Sequence, residues 1–371
     1  MQLTILYVCC ARSWRGGEQQ LINLFWPMQK RGHRQIIYCA AGSVVESYCV
    51  ANDISHYTFK KVGGVDLFAA VKLKKICTQK EKIDILYLND SDAHSMGYLA
   101  SMLGLTTPAI VSRKKVLPIR NSFFSIKKYN SNFIKYIICV SATVKEILSE
   151  RIKDTSKLLV VHEGIQPPVE NAIAKFVFPE EIRKKNFDHI ISYTAAISEE
   201  KDHLTFLRTA YMLVTELKQN IGFIIAGDGS MKETIAIKVH EMGLDNHVFI
   251  LGFIDNIPSL LKSSDLLLFT SRSEAFSISI LEAFYLHLPV ISTTWRGVYE
   301  MIVHEKTGLL SPIGDVASLV NNVQRMLEDS TLSKKLAQHA YEFVQQYNYD
   351  AMANKIEAIF FKVLKAKPNS I

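Results

Sequence analysis

Short apolar runs of strand length alternate with amphipathic helical stretches along the whole chain, which restricts it to βαβ units and parallel sheets. In the first half the runs fall at residues 3–8, 35–39, 83–88, 109–112, 136–140 and 158–161. A second series begins at 190–194 and continues through 223–226, 248–251, 266–270 and 290–293. Between the two series, residues 164–187 carry Pro167-Pro168, Pro179 and a mixed-charge run, the composition of a linker. The 371 residues suffice for two cores of ordinary size. The predicted fold class is therefore α/β, with two Rossmann-like domains at 1–165 and 188–345 joined by a linker at 166–187.

The apolar runs are far shorter than the roughly 20 residues a bilayer-spanning helix needs. Residues 1–10 lack a basic leader and a small-residue cleavage site, so they read as the first strand and not as a signal peptide. All six cysteines precede residue 140 and none has C-x-x-C spacing, which argues against a zinc site or a disulfide framework and for a cytoplasmic setting. Net charge is +7, and between 113 and 157 eleven Lys or Arg face three acids. Within that segment, 113–136 interleaves bases with Phe123, Phe124 and Tyr129. Such a stripe suits an anionic membrane surface or an anionic acceptor. No nucleic-acid motif accompanies it.

The densest chemistry lies at 273–284, where Glu274 and Glu282 stand eight apart around a Ser/Phe turn leading into an apolar helix. A strand-like run precedes this turn, so Glu274 falls on a strand-to-helix loop and Glu282 about a turn inside the helix. The first helical amides, near Phe276, Ser277 and Ile278, are then free to meet a diphosphate. Glu282 would accept from ribose hydroxyls and Glu274 from sugar hydroxyls. Two other motifs are weaker. Gly227-Asp228-Gly229 fails a dinucleotide fingerprint because Lys232 occupies the third glycine position, and it reads as a structural turn. Asp90-Ser91-Asp92 is a literal D-x-D, but it lies in the half opposite the nucleotide motifs, so no metal is expected there. Gly16-Gly17 open a helix whose apolar face is Leu21, Ile22, Leu24, Phe25 and Met28, with Gly32 as its C-cap.

Glu274-x7-Glu282, Leu288-Pro289-Val290, Gly297-Val298-Tyr299-Glu300 and Lys306-Thr307-Gly308-Leu309-Leu310, in this order, resemble the family 4 retaining glycosyltransferases. Gly16-Gly17 with Arg31-Gly32-His33 resemble that family's N-terminal pattern. The resemblance implies a GT-B fold, with sheets facing across a cleft and a final helix at 346–371 crossing back to the first domain. It implies a metal-independent retaining enzyme moving a sugar from a nucleotide sugar, UDP-linked in preference to GDP-linked, to a glycan or lipid-linked acceptor. The setting would be bacterial surface polysaccharide or lipopolysaccharide synthesis, on the inner membrane face. Glu274 and Lys201 would be the catalytic pair, with Gly16, Gly17, Phe253, Phe276, Ser277, Ile278 and Glu282 holding the donor. Asn89, His94 and Arg113 are candidate acceptor or sugar contacts, His94 being read as an exposed loop residue. Two departures stand out: Ala196 occupies the family's diphosphate-binding Arg position, and Asn89 its His position. Arg272, Arg296 and Arg113 are the candidate substitutes for the lost cation. A non-catalytic nucleotide-sugar binder and a sugar-nucleotide epimerase of the same fold are the alternatives.

Overall fold

The computed structural model describes residues 1–14, 16–61, 66–113, 118–166 and 173–365. The chain forms two compact units, Met1–Gln166 with Tyr347–Ile371, and Pro167–Gln346. Unit 1 holds strands β1 (Thr4–Cys9), β2 (Arg34–Ala40), β3 (His56–Phe59), β4 (Ile85–Leu88), β5 (Ala109–Arg113), β6 (Ile134–Cys139) and β7 (Leu158–Val160). Unit 2 holds β8 (His189–Thr194), β9 (Ile221–Ala226), β10 (Val248–Gly252), β11 (Leu266–Phe269), β12 (Val290–Thr293) and β13 (Leu309–Ser311). Among the described residues the first sheet runs β3-β2-β1-β4-β5-β6-β7 and the second β10-β9-β8-β11-β12-β13. Every pairing in both is parallel. Strands β4, β9 and β11 are buried from end to end and β1 in all but Thr4, as parallel strands covered on both faces must be.

Two short strands escape the sequence pattern. β3 is a half-buried edge strand with His56 and Thr58, and β13 lies inside the Thr-Gly-Leu-Leu motif. In unit 1 the helix Gly16–Lys30 buries Leu21, Leu24, Phe25 and Met28 and stops at Gly32, whose φ of 83° only glycine adopts freely.

The helix Tyr349–Lys365 packs Met352, Ile356, Phe360 and Val363 into the same core, and its Glu357 takes Arg31 and His33, each at 2.8 Å. Of the expected linker, residues 167–172 lie outside the described residues. Its later part is no linker, because Phe176, Phe178 and Phe187 pack on Ile182, Ile224 and Leu260 of unit 2. Three phenylalanines in twelve residues are too much apolar surface to leave in water.

Candidate functional site

Each sheet reverses its strand order beside its first strand, between β1 and β4 in unit 1 and between β8 and β11 in unit 2. Loops at the carboxyl ends of such a strand pair diverge and leave a crevice, which is where open parallel sheets bind ligands. In unit 2 those loops carry Lys201, after β8, and Glu274, after β11. Lys201 Nζ pairs with Glu274 Oε1 across the switch point, with the two side chains only 17% and 11% exposed. Ser271 Oγ–H also donates to Glu274 Oε1 at 3.1 Å, and Tyr193 O–H to the Lys201 carbonyl at 2.5 Å. The cation and the carboxylate are thus fixed from both sides. Arg272 is tied to Asp202 at 2.7 Å, and Ala196 is exposed.

The helix Ile278–Tyr285 follows directly, with Ser277 as an N-cap that makes no side-chain cap bond. Phe276 and Ser277 are buried. The Ser277 amide meets only Met301 Sδ, at 3.3 Å, a weak acceptor that an oxyanion would outcompete. The side chain of Glu282, in the second turn, has no hydrogen bond or ion pair among the described residues. Glu282 is half-buried, and burial alone pushes its pKa up to about 7. Phe253 projects from the turn after β10 and is 65% exposed, beside Gly252 at φ 72°. Gly227 and Gly229 are structural, as read: an added Cβ would meet the Ala195 carbonyl at 1.8 Å and the Ile197 carbonyl at 2.3 Å. They let the turn close onto the Lys201 loop.

Unit 1 has a cavity of about 400 Å³ at its own switch point. It is lined by Arg12 and Gly17 after β1, Lys61 after β3, Asn89 to Asp92 after β4, and Arg113 and Tyr129. Gly16 and Gly17 form the first turn of their helix, and the Gly17 carbonyl accepts from Asn89 Nδ2 at 3.3 Å. Asp90 and Asp92 are each engaged within the protein. Asp90 caps the helix Ser91–Met102, accepting from the amides of Asp92, Ala93 and Cys10, and Asp92 pairs with Lys61 at 2.9 Å. No cluster of possible metal ligands occurs among the described residues. His94 corrects the sequence reading. It lies inside that helix, fully buried and edge-on to Tyr129, and burial holds its pKa well below the ordinary value.

Two family models divide the chain between them. "Glycosyltransferase Family 4" matches residues 14–167 and "Glycosyl transferases group 1" matches 175–343. The chain is a glycosyltransferase. It is 25% identical over 327 residues to the N-acetyl-alpha-D-glucosaminyl L-malate synthase of Bacillus anthracis, covering 85% of this chain and 84% of that one. It is 24% identical over 318 residues to the UDP-Gal:alpha-D-GlcNAc-diphosphoundecaprenol alpha-1,3-galactosyltransferase of Escherichia coli, covering 81% of each. Anabaena Alr3699/HepE, crystallised with UDP and glucose, superposes with a TM-score of 0.82 at 19% identity, over 97% of this chain and 100% of that one. The fold is GT-B.

The basic stripe of this glycosyltransferase is only partly a surface. Residues 114–117 lie outside the described residues, and 134–139 form β6 in the sheet. Lys128 is 4% exposed, Tyr129 is buried and Phe124 packs edge-on against Tyr98, whereas Phe123 is 80% exposed with Lys127 5.5 Å over its ring. No helix among the described residues is long and apolar enough to cross a membrane. Sequence reasoning missed Ser271, one residue before Arg272 in the motif loop. It also missed Thr194 and Ser198, whose hydroxyls are buried without a hydrogen-bond partner at the carboxyl end of β8. Their position at the end of a strand or within a few residues after it, at the switch point, was the available signal.

Proposed function

We propose that this glycosyltransferase is a retaining, metal-independent enzyme that moves a sugar from a UDP-sugar to a glycan or lipid-linked acceptor in bacterial surface-glycan synthesis. The reading is carried by Lys201 and Glu274, which meet across the unit 2 switch point beside an uncapped helix N-terminus. That pairing puts a cation, a carboxylate and free amides in one place. Lys201 Nζ and the amides beginning near Ser277 take the diphosphate, joined by the unpartnered hydroxyls of Thr194 and Ser198. Glu274 accepts from sugar hydroxyls and Glu282 from the ribose, and the Gly252-Phe253 turn receives the base. The bond from the anomeric carbon to the phosphate oxygen breaks as the acceptor oxygen bonds that carbon from the same face. The acceptor proton passes to the departing phosphate. The acceptors named for the Bacillus and Escherichia relatives, malate and a diphosphoundecaprenol-linked sugar, support a soluble or lipid-linked acceptor. Exposed Phe123 and Lys127 support contact with an anionic membrane face.

A non-catalytic binder is the second reading, favoured by Ala196 and by the engagement of Arg272 with Asp202. Thermal unfolding with UDP, GDP and their sugars, with and without EDTA, is combined with UDP release from UDP-sugar plus acceptor. Protection by UDP that EDTA leaves unchanged, together with UDP release, is expected. Lys201→Ala should cut turnover by about 10²–10³. Protection without release by the wild type selects the binder, and no protection by any nucleotide sinks both readings.

A further inference from the structure

The two loops that meet at the unit 2 switch point carry more acid than base. Glu199, Glu200, Asp202 and Glu274 stand against Lys201 and Arg272, and Ala196 before them adds no charge. A diphosphate beside Lys201 therefore depends on how each acid is handled. Glu199 and Glu200 are exposed, so water and salt screen them. Glu274 is paired with Lys201 itself. Asp202 is different, because its side chain is only 4% exposed and it follows Lys201 directly. Its charge acts on the site with little screening. The buried ring of His203 registers both neighbours. Burial first, and then Lys201, pull its pKa down to about 4, while Asp202 pushes the other way.

The backbone gives Asp202 a structural reason to be there. Its φ of 48° and ψ of 52° are left-handed, and it caps the helix His203–Tyr211. Its carboxylate accepts from Thr205 N–H at 3.3 Å and Thr205 Oγ1–H at 2.8 Å. Asn and Asp are the non-glycine residues that best tolerate that backbone, and both cap well. The charge that comes with the cap is met from the facing loop by Arg272, whose Nε–H donates to Asp202 Oδ2 at 2.7 Å. The Arg272 amide donates to the Glu200 carbonyl at 2.8 Å and Thr270 Oγ1–H to the Asp202 carbonyl at 3.1 Å. These two bonds hold the guanidinium in register with the carboxylate.

We propose that Arg272 is a positioning residue that does not touch the donor: it neutralises Asp202 and so leaves the Lys201 charge to the diphosphate. Naming the ligand as a diphosphate rests on the transferase reading. An arginine at 196 would add a positive charge to the site, whereas Arg272 cancels a buried negative one, and the electrostatic effect has the same sign.

The test reads UDP affinity by isothermal titration calorimetry at low ionic strength, with urea denaturation of each variant alongside. Arg272→Ala should weaken UDP binding about fivefold or more. Its side chain is 59% exposed, so this variant folds. Arg272→Lys, which keeps the charge, should recover most of the loss. Asp202→Asn combined with Arg272→Ala should return UDP affinity to the wild-type value, because asparagine keeps the cap and the left-handed turn while removing the charge. A double variant that binds UDP as weakly as Arg272→Ala overturns the proposal. With stability lost in step, the pair would only hold the loops together; with stability unchanged, Arg272 would touch the diphosphate itself. Wild-type affinity in Arg272→Ala overturns the proposal alone and leaves the transferase reading standing. Failure of the wild type to bind UDP sinks both.

Discussion

Glu282 is the residue whose chemistry and energetics pull in opposite directions. A carboxyl group at about 7 instead of its ordinary 4.5 binds its proton more tightly in the folded protein than in the unfolded chain. Its contribution to stability is therefore whole below about 4.5 and lost as the pH rises through about 7. The difference is on the order of 3 kcal/mol. Glu282→Gln keeps the shape and removes the charge. It should change stability little at pH 5 and raise it by up to that amount at pH 8, as read by urea denaturation. Ribose hydroxyls donate best to the ionised form, so nucleotide binding should draw the proton off. UDP affinity of the wild type is then expected to climb between pH 5.5 and 7 and level off above. The Gln variant should bind UDP markedly more weakly at pH 8 although it is more stable. Equal UDP affinity of the two at pH 8 would remove the ribose assignment, whatever the stability curve shows.

Among the elements, the helix Phe123–Tyr129 shows what a linear stripe conceals. Read along the sequence, Phe123, Phe124, Lys127 and Lys128 form one basic-aromatic patch. At 100° per residue they are two i,i+4 pairs on different faces. Phe123 and Lys127 face solvent, while Phe124 lies against Tyr98 and Lys128 against Ser95. Phe123→Ser with Lys127→Glu should therefore lower binding to anionic vesicles without changing the melting temperature. Unaltered vesicle binding by that pair, or no binding by the wild type, would discard the membrane face. The strand pattern was legible where burial on both faces left continuous apolar runs, as in β1, β4, β9 and β11. It failed at β3, because an edge strand with His56 and Thr58 shows neither a full apolar run nor clean alternation. At the candidate site the loop position of Glu274 and the helix start after it were legible from spacing, whereas Lys201 was reached only through the family resemblance. The Lys201–Glu274 pairing was not legible, because the two residues are 73 positions apart and meet only through the β8–β11 adjacency. His94 was misplaced for a related reason: Asp90 caps a helix that a Ser/Asp/His run does not announce.

For the whole molecule, the order of the chain matters. Unit 2 is one continuous stretch, but unit 1 lacks part of its core until residues 347–371 are added. The two passages of the chain out of and back into unit 1 are pinned to each other. Ile165 N–H donates to the Tyr347 carbonyl at 2.9 Å and Tyr349 N–H to the Ile165 carbonyl at 3.2 Å. Gly164 allows this contact, since a Cβ there would lie 2.4 Å from the Asn348 carbonyl oxygen. An ordinary Gly→Ala change at a tolerant site stabilises by about 0.4–1 kcal/mol through the unfolded chain. Here that gain opposes a backbone clash, and overpacking costs about 1–3 kcal/mol. The clash should win, because the Asn348 carbonyl is backbone beside the crossing, accepts from Met352 N–H at the start of the final helix, and has no flexible side chain to move aside. Gly164→Ala is therefore expected to lower the stability of unit 1 while the UDP concentration giving half-maximal protection stays at the wild-type value. Gly243, at φ 66° with nothing within 4 Å of an added Cβ, supplies the control in which only left-handed strain acts. A Gly164→Ala protein as stable as the wild type would mean that the crossing yields, and that the C-terminal helix is held by its apolar face and by the polar contacts of Tyr349, Asp350 and Glu357.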